Sequence, residues 1–340
     1  MVEEILRLSG VKAYYYQNVG KGLKEIKAVD GVDLTIYSGE VLGIVGESGS
    51  GKSTLANVMM MNVSPPLRFI EGEVVLRGRD GAKIHLEKMS RDDLRKKIWG
   101  TEMTLVPQAA MNALMPTLRL RRIARDILRS HFDDIGDDMV VELAVKALTS
   151  LGLPADVVDR YPFELSGGMR QRAVLAMATI LRPRILIADE PTSALDVSTQ
   201  KVVVKTMIDM KSKGIIEALA FISHDIATVR QIADRMIVMY AGKIVELGRV
   251  EDIIKNPLHP YTKGLIESVL TPEPEVRRRG LRFIPGFPPD LSNPPPGCRF
   301  HPRCPFAMEV CRRDEPRMIE AENGHYVACW LYPGGGHARG

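Results

Sequence analysis

A mixed α/β fold, with helices packed on a largely parallel sheet, is what this sequence predicts, and three observations carry the expectation. Short apolar runs recur at Leu34–Ile36, Val41–Val45, Met103–Val106, Ile185–Ala188, Ala218–Ile222 and Met236–Met239. Several are continuous rather than alternating, as strands buried on both faces are. Between them lie helical patterns at 53–61, 118–132, 138–151, 168–181, 199–213 and 226–233, and strands alternating with helices mean α/β. The third observation is Gly46-Glu47-Ser48-Gly49-Ser50-Gly51-Lys52-Ser53, which follows the Val41–Val45 run directly and leads into the first helical pattern.

Taken in order, Leu6–Leu8 and Glu73–Leu76 look like pieces of a small antiparallel sheet. The charged run Arg91–Lys97 follows Ser90, a candidate helix N-cap. Residues 118–181 hold helical patterns and no convincing strand, so a helical subdomain inserted at about 108–182 is expected. Arg119, Arg121, Arg122, Arg125 and Arg129 decorate its first helix and read as a solvated face. From about Asn256 onward, prolines at 257, 260, 272, 274, 285, 288, 289 and 294–296 break any long element. Two domains are therefore expected, 1–256 and 257–340, the second a proline-rich appendage that contains all four cysteines.

Composition bounds the function. A chain of 340 residues that is 45% hydrophobic can bury a sizeable core. Its 46 basic residues nearly balance 42 acidic ones, so bulk charge gives no reason to expect a nucleic-acid partner. The start, Met1-Val2-Glu3-Glu4, lacks a basic and then apolar leader, and the longest apolar run, Ala173–Leu181, is far shorter than a membrane span. A protein that stays in the cytoplasm and crosses no membrane is the expectation.

The Gly46–Ser53 stretch matches G-x-x-x-x-G-K-[ST] in the strand-to-helix context that the motif requires. Its glycines let successive backbone N–H groups converge on one anion, and the helix that follows adds its positive dipole end. Lys52 would reach the β- and γ-phosphates of a nucleoside triphosphate, and the Ser53 hydroxyl would ligate Mg2+. Ile185–Ala188 ends in Asp189-Glu190, and parallel strands present ligand sites at their carboxyl ends. Asp189 would support the metal and Glu190 would polarise the attacking water. His224, just past the Ala218 run, could touch the γ-phosphate. Leu165-Ser166-Gly167-Gly168-Met169 is a second glycine-containing turn entering a helix, with Ser166 as N-cap. One monomer rarely needs two such anion-binding devices for one phosphate, whereas two chains sharing each nucleotide would.

These residues together resemble the ATP-binding subunit of an ABC transporter. The phosphate loop, the 165–169 signature, the Asp189-Glu190 strand and Ser193-Ala194-Leu195-Asp196 occur in that family's order, with Gln108 and His224 at its glutamine-loop and switch positions. The resemblance implies that Gly46, Ser48, Gly49, Gly51, Lys52, Ser53 and Thr54 hold the phosphates, and that Ser53, Gln108 and Asp189 serve Mg2+. It further implies that Lys52, Gln108, Glu190 and His224 are catalytic, and that Ser166, Gly167 and Gly168 contact ATP held by a partner ATPase. The aromatic that stacks on adenine falls most naturally at Tyr15, with Tyr14 and Tyr16 as rivals. Met169 stands where many signatures have glutamine, and Gln108–Leu114 is not the commonest continuation.

Three stretches, Asn256–Leu265, Pro285–Leu291 and Gly297–Cys304, resemble the C-terminal extension of oligopeptide and dipeptide importer ATPases. This implies a second, homologous ATPase subunit, two membrane permeases, an extracytoplasmic solute-binding protein, and residence on the cytoplasmic membrane face. Relatives that move oligosaccharides or nickel are the alternative, and a soluble ABC protein or an exporter ATPase is a more distant one. The cysteines run C-x5-C-x6-C-x17-C, too wide for usual zinc spacing and unlike a ferredoxin run. A cytosolic setting argues against structural disulfides. The resemblance maps a [4Fe–4S] cluster onto Cys298, Cys304, Cys311 and Cys329, with zinc or free thiols as alternatives and His301 and His325 as bystanders.

Lys52→Ala removes the nearest cation from the β/γ-phosphates, so ATP hydrolysis by the protein assembled with its permeases should fall roughly 100-fold. Native turnover in that variant would show that the loop is not the cradle.

Overall fold

The computed structural model describes residues 3–20, 22–108, 114–193, 195–268 and 283–333. The Ala109–Ala113 part of the glutamine-loop continuation and Ala194 lie outside them. The chain divides into two compact units, one of Glu4–Ile36, Val41–Glu87 and Ile222–Gly340, the other of Met1–Glu3, Tyr37–Glu40 and Lys88–Phe221.

In the first unit, strands β1 (Glu4–Val19), β2 (Gly22–Tyr37), β4 (Leu67–Arg77) and β5 (Lys83–His85) form an antiparallel sheet in the order β2-β1-β4-β5. Its strands run far beyond Leu6–Leu8 and Glu73–Leu76. The β1–β4 register shifts between Ser9 and Ala13, beside Gly10 at φ +57°. Such a bulge interrupts the alternation that marks a strand in sequence. Gly72 faces the bulge, and a Cβ there would lie 2.6 Å from the Val11 Cα.

The same unit carries β3 (Val41–Val45) parallel to β9 (Arg235–Tyr240), with β10 (Lys243–Arg249) antiparallel to β9. Every β3 side chain is buried, as its continuous apolar run requires. Beyond β10 come β12 (His325–Val327) and β11 (Ile319–Glu322), strands contributed by the cysteine-bearing segment. Sequence patterning missed β10, β11 and β12. The last two are three or four residues long, and β10 reads Lys-Ile-Val-Glu-Leu-Gly-Arg, whose glutamate is buried.

The second unit holds β6 (Met103–Val106) parallel to β7 (Ile185–Asp189), together with helices α3 (Leu120–Arg129), α4 (Asp137–Ser150), α5 (Gly167–Ala178) and α6 (Val197–Ser212). Among the described residues no strand lies between 118 and 181, as expected. Leu120, Ala124 and Leu128 form the buried stripe of α3. Its arginines face acids: Arg121 meets Asp159 at 3.0 Å, Arg122 meets Asp126 at 3.3 Å and Arg125 meets Asp137 at 2.9 Å. Exposed pairs of this kind contribute little each. Ser90 caps the 91–97 helix, its hydroxyl accepting from the Asp93 N–H.

A buried acid anchors the cysteine-bearing segment within the first unit. Glu246, fully buried on β10, accepts hydrogen bonds from the backbone N–H groups of Leu258 (2.8 Å) and His259 (2.9 Å) and lies 2.8 Å from His325 Nε2. Three partners satisfy a carboxylate that would be costly to bury alone. His325 is therefore structural. His259 caps the helix Pro260–Glu267, its Nδ1 accepting from the Tyr261 N–H at 3.1 Å. Phe300, Tyr261 and Tyr240 pack ring against ring with centroids 4.6 to 5.4 Å apart.

Burial holds His259 down at about 4, against an ordinary 6.5. Folding thus keeps a neutral ring that the unfolded chain would protonate. Its contribution to stability is complete above about pH 6.5 and is lost as pH falls toward 4, a loss of roughly 3 kcal/mol. Denaturant titrations between pH 7 and 4.5 should show a shallower decline for His259→Gln than for the wild type. Equal slopes would assign the acid sensitivity to other groups.

Candidate nucleotide-binding site

The loop between β3 and the helix Lys52–Met59 takes a shape that only glycine allows at two points. Gly46 has φ +155° and Gly51 φ +104°. A Cβ at Gly46 would stand 2.3 Å from the Met239 carbonyl oxygen, and one at Gly51 would stand 2.1 Å from that of Ala28. Backbone bonds hold the loop against the sheet: the Gly242 N–H donates to Ser50 O (2.8 Å) and the Asp30 N–H to Gly242 O (2.9 Å). Gly51 supplies no side chain to cap the helix that begins at Lys52, so its first-turn amides suit an anion.

Lys52 is 5% exposed, and its Nζ donates to Gly46 O at 2.8 Å and Glu47 O at 2.9 Å. The ammonium is thereby held over the loop. Ser48, Gly49 and Ser53 are exposed at the rim, while Thr54 is buried one residue into the helix. Ser50 Oγ is buried and has no hydrogen-bond partner among the described residues, a second sign that the loop is shaped to receive polar atoms.

The three neighbouring tyrosines have different environments. Tyr14 is buried and donates to Asp30 at 2.5 Å, with burial, then this bond, raising its pKa well above the ordinary phenol value. Tyr16 donates to Glu25 at 2.9 Å and lies under the Arg68 guanidinium. Tyr15 is half-buried with its hydroxyl 3.3 Å from Thr54 Oγ1, which places this ring beside the phosphate loop.

In the other unit, Asp189 is buried at the end of β7 and Glu190 follows at φ +47°, a strained value for a residue with a side chain. Gln108 Nε2 lies 3.5 Å from Glu190 Oε2, so the structure brings the glutamine-loop residue and the following acid together. Ser166 caps α5, its hydroxyl accepting from the Met169 N–H at 3.4 Å, and Ser166 and Gly167 are exposed. No acid occupies the first turn of α5, and a Cβ on Gly168 would meet nothing within 4 Å. Asp196 caps α6, and donation from Ser198 and Thr199 holds its carboxyl far below the usual range. His224, back in the first unit, stands exposed after β8 (Ala218–Ile222). The first unit thus offers backbone dipoles and a hydroxyl that suit phosphate, and the second offers carboxylate and amide oxygens, hard donors of the kind that suit Mg2+.

Sequence reasoning missed the residues that brace this loop from the chain's far end. Arg303 grips the Glu47 carboxylate with two bonds, 2.7 and 3.0 Å. Tyr261 accepts from the Glu47 N–H at 2.8 Å. Arg299 donates to Asp30 and to the Ala241 carbonyl. The available signal was the pair of arginines flanking His301, whose carboxylate partners, Asp30 and Glu47, lie more than 200 residues away.

Comparison with known proteins agrees with this geometry. Residues 29–193 match the family described as ABC transporter, and residues 245–311 match the oligopeptide/dipeptide transporter C-terminal region. The dipeptide transport ATP-binding protein DppD of Caldanaerobacter subterraneus subsp. tengcongensis is 41% identical over 332 residues, 97% of this chain and 98% of its own. The oligopeptide transport ATP-binding protein OppD of Bacillus subtilis is 40% identical over 310 residues, covering 90% and 84%. Among solved structures, the ATP-binding cassette MJ0796, in a dimeric post-hydrolysis state bound to ADP and Pi, is similar at TM-score 0.58 and 26% identity, over 72% of this chain and 99% of that one. The chain belongs to the ABC transporter ATP-binding family, in the branch that carries the oligopeptide/dipeptide C-terminal region. Its ligands are accordingly ATP and Mg2+.

Glu190→Gln keeps the shape but removes the carboxylate, so hydrolysis should fall about 10²- to 10⁴-fold while ATP still binds. Steady-state turnover and nucleotide titration on the same preparation separate the two effects. Unchanged turnover would move the role elsewhere.

Proposed function

We propose that this chain is the ATP-hydrolysing subunit that energises an importer of dipeptides or oligopeptides. The observation that carries the reading is the union, in one chain, of a phosphate loop with a C-terminal region of the oligopeptide/dipeptide type. Residues 1–256 form the ATPase domain, with a helical subdomain at about 108–182, and 257–340 form the importer-type extension. Gly46–Thr54 cradle the phosphates, Lys52 neutralises their charge and Tyr15 supports adenine. Glu190, aligned by Gln108, orients the attacking water, and His224 contacts the γ-phosphate. Ser53, Gln108 and Asp189 would hold Mg2+, which when bound neutralises charge on the β- and γ-oxygens.

The exposed, capped start of α5 supports a head-to-tail pairing in which Ser166, Gly167 and Gly168 meet ATP held by a homologous partner ATPase. Among the described residues no helix is long and apolar enough to cross a membrane. Translocation then belongs to two permease subunits, fed by an extracytoplasmic binding protein, with this chain bound at their cytoplasmic face. Co-expression with two permeases and the paralogous ATPase should yield peptide-stimulated ATP hydrolysis in proteoliposomes. Stimulation by an oligosaccharide or nickel instead of peptide would reassign the cargo.

The extension is read as a [4Fe–4S] module. All four cysteines are free. Burial pushes the Cys298 thiol up to about 12 and Cys329 up to about 11, and in each case neighbouring thiols of the set act in the same direction. The Cys298 N–H donates to Cys311 O at 2.9 Å, joining the ends of the first three cysteines. Among the described residues no three metal-ligating side chains converge on a point suited to a single ion. Four cysteines within one segment supply the thiolate set that an iron–sulfur cluster requires. Bound iron and sulfide would lower the thiol pKa values and fold a segment with little apolar core. Anaerobically purified protein should be brown, with about four irons per chain, and Cys311→Ser should lose both the colour and the bound iron. Stoichiometric zinc, or no metal, would refute this part alone.

A further inference from the structure

Glu47 occupies the first variable position of the phosphate loop and is held at three places. Its N–H donates to Tyr261 Oη at 2.8 Å, its carbonyl accepts from Lys52 Nζ at 2.9 Å, and its carboxylate receives both Arg303 Nη atoms at 2.7 and 3.0 Å. Two of these three tethers come from residues beyond 257. Arg303 has its own donors engaged: Nε donates to Pro285 O at 2.8 Å and Nη1 approaches Tyr240 Oη at 3.3 Å. Its side chain is only 6% exposed, and the paired Glu47 carboxylate holds its pKa above the ordinary guanidinium value.

The turn that carries Arg303 is closed by the cysteines on either side. The His301 N–H donates to Cys298 O at 2.9 Å, the Arg303 N–H to Phe300 O at 3.0 Å, and the Cys304 N–H to His301 O at 3.3 Å. Arg299, one residue past Cys298, donates to Asp30, whose own N–H holds Gly242 against the loop. The cysteine-bearing turn and the phosphate loop are thus joined by part-buried, charge-assisted hydrogen bonds, stronger than neutral ones.

We propose that Arg303 is a positioning residue for ATP binding, fixing the phosphate loop through Glu47 so that nucleotide affinity depends on the folded state of the cysteine-bearing segment. Arg303 does two things for the loop. It sets the orientation of the Gly46–Glu47 peptide, whose carbonyls hold Lys52. It also cancels a carboxylate that would otherwise oppose the triphosphate from within its own cradle. A lysine would supply the charge without the planar two-point grip. This inference rests on the reading of Gly46–Ser53 as the nucleotide cradle.

The test uses the full-length chain, purified anaerobically, titrated with a fluorescent ATP analogue in the presence of Mg2+ and followed by amide hydrogen exchange. Arg303→Ala should weaken binding ~10-fold, the expected loss for a buried charged hydrogen-bond pair. In the assembled transporter it should raise KM for ATP more than it lowers kcat. Arg303→Lys, which keeps the charge and most of the packing, should retain the melting temperature, recover part of the affinity and still show faster exchange at 46–53 than the wild type. It carries the test if the alanine variant does not fold. Faster exchange confined to 298–313, with affinity within about twofold of wild type, would reduce Arg303 to a structural residue and overturn the proposal. Lys52→Ala is the control. Lost binding there beside unaltered Arg303 variants sinks only this inference, whereas unaltered binding in Lys52→Ala sinks the cradle reading beneath it.

Discussion

A phosphate can be bound by backbone dipoles only if the backbone comes close enough for several N–H groups to converge, and the rest of this structure follows from that constraint. Close approach excludes side chains at Gly46 and Gly51, where carbonyl oxygens of Met239 and Ala28 leave no space for a Cβ. Those carbonyls belong to β9 and β2, strands of two different sheets, so the loop is moulded between them. Buried strands on both sides fix the oxygens, and the oxygens fix the loop. The apolar run at β3 and the glycines after it are therefore parts of one device.

The cysteine-bearing segment shows how a proline-rich chain with few apolar residues can be held in place. Its largest apolar contribution is Phe300, packed between Tyr240, Tyr261 and His259. Around this small cluster, three buried charged residues (Glu246, Arg299 and Arg303) meet partners from outside their own stretch of sequence. Buried charges are poor sources of net stability but strong sources of specificity when each is fully paired. The segment is thereby fixed in one register against β9, β10 and the phosphate loop.

What could be read in the sequence was whatever is local. Gly46–Ser53, the strand before it, the capped turn at Ser166 and the carboxylates after Ile185–Ala188 carry their chemistry in neighbouring residues, and the fold places each where its element was expected. The 120–129 and 137–150 helices were likewise visible, because their buried positions repeat with the helical period. What stayed hidden depends on contacts between distant residues. Glu246 reads as a polar residue in an unremarkable stretch, yet it is among the most buried side chains in the protein because Leu258, His259 and His325 arrive to satisfy it. Arg303 gives no local hint that Glu47 is its partner. Tyr14, Tyr15 and Tyr16 read alike in sequence, and it is the partners of their hydroxyls that give them different environments.

β10 ends in a short antiparallel addition, β12 and then β11, both drawn from the last part of the chain. A seven-residue strand with mostly buried side chains would, if left at the margin, expose a row of unpaired amides and carbonyls ready to recruit the same strand of another molecule. β12 covers the middle of that row, at Glu246 and Leu247, and β11, only four residues long, presents Glu320 and Glu322 to solvent. A short border with like charges is a poor template for further pairing. The segment that supplies β11 and β12 thus leaves the sheet a border poorly suited to recruiting a second copy.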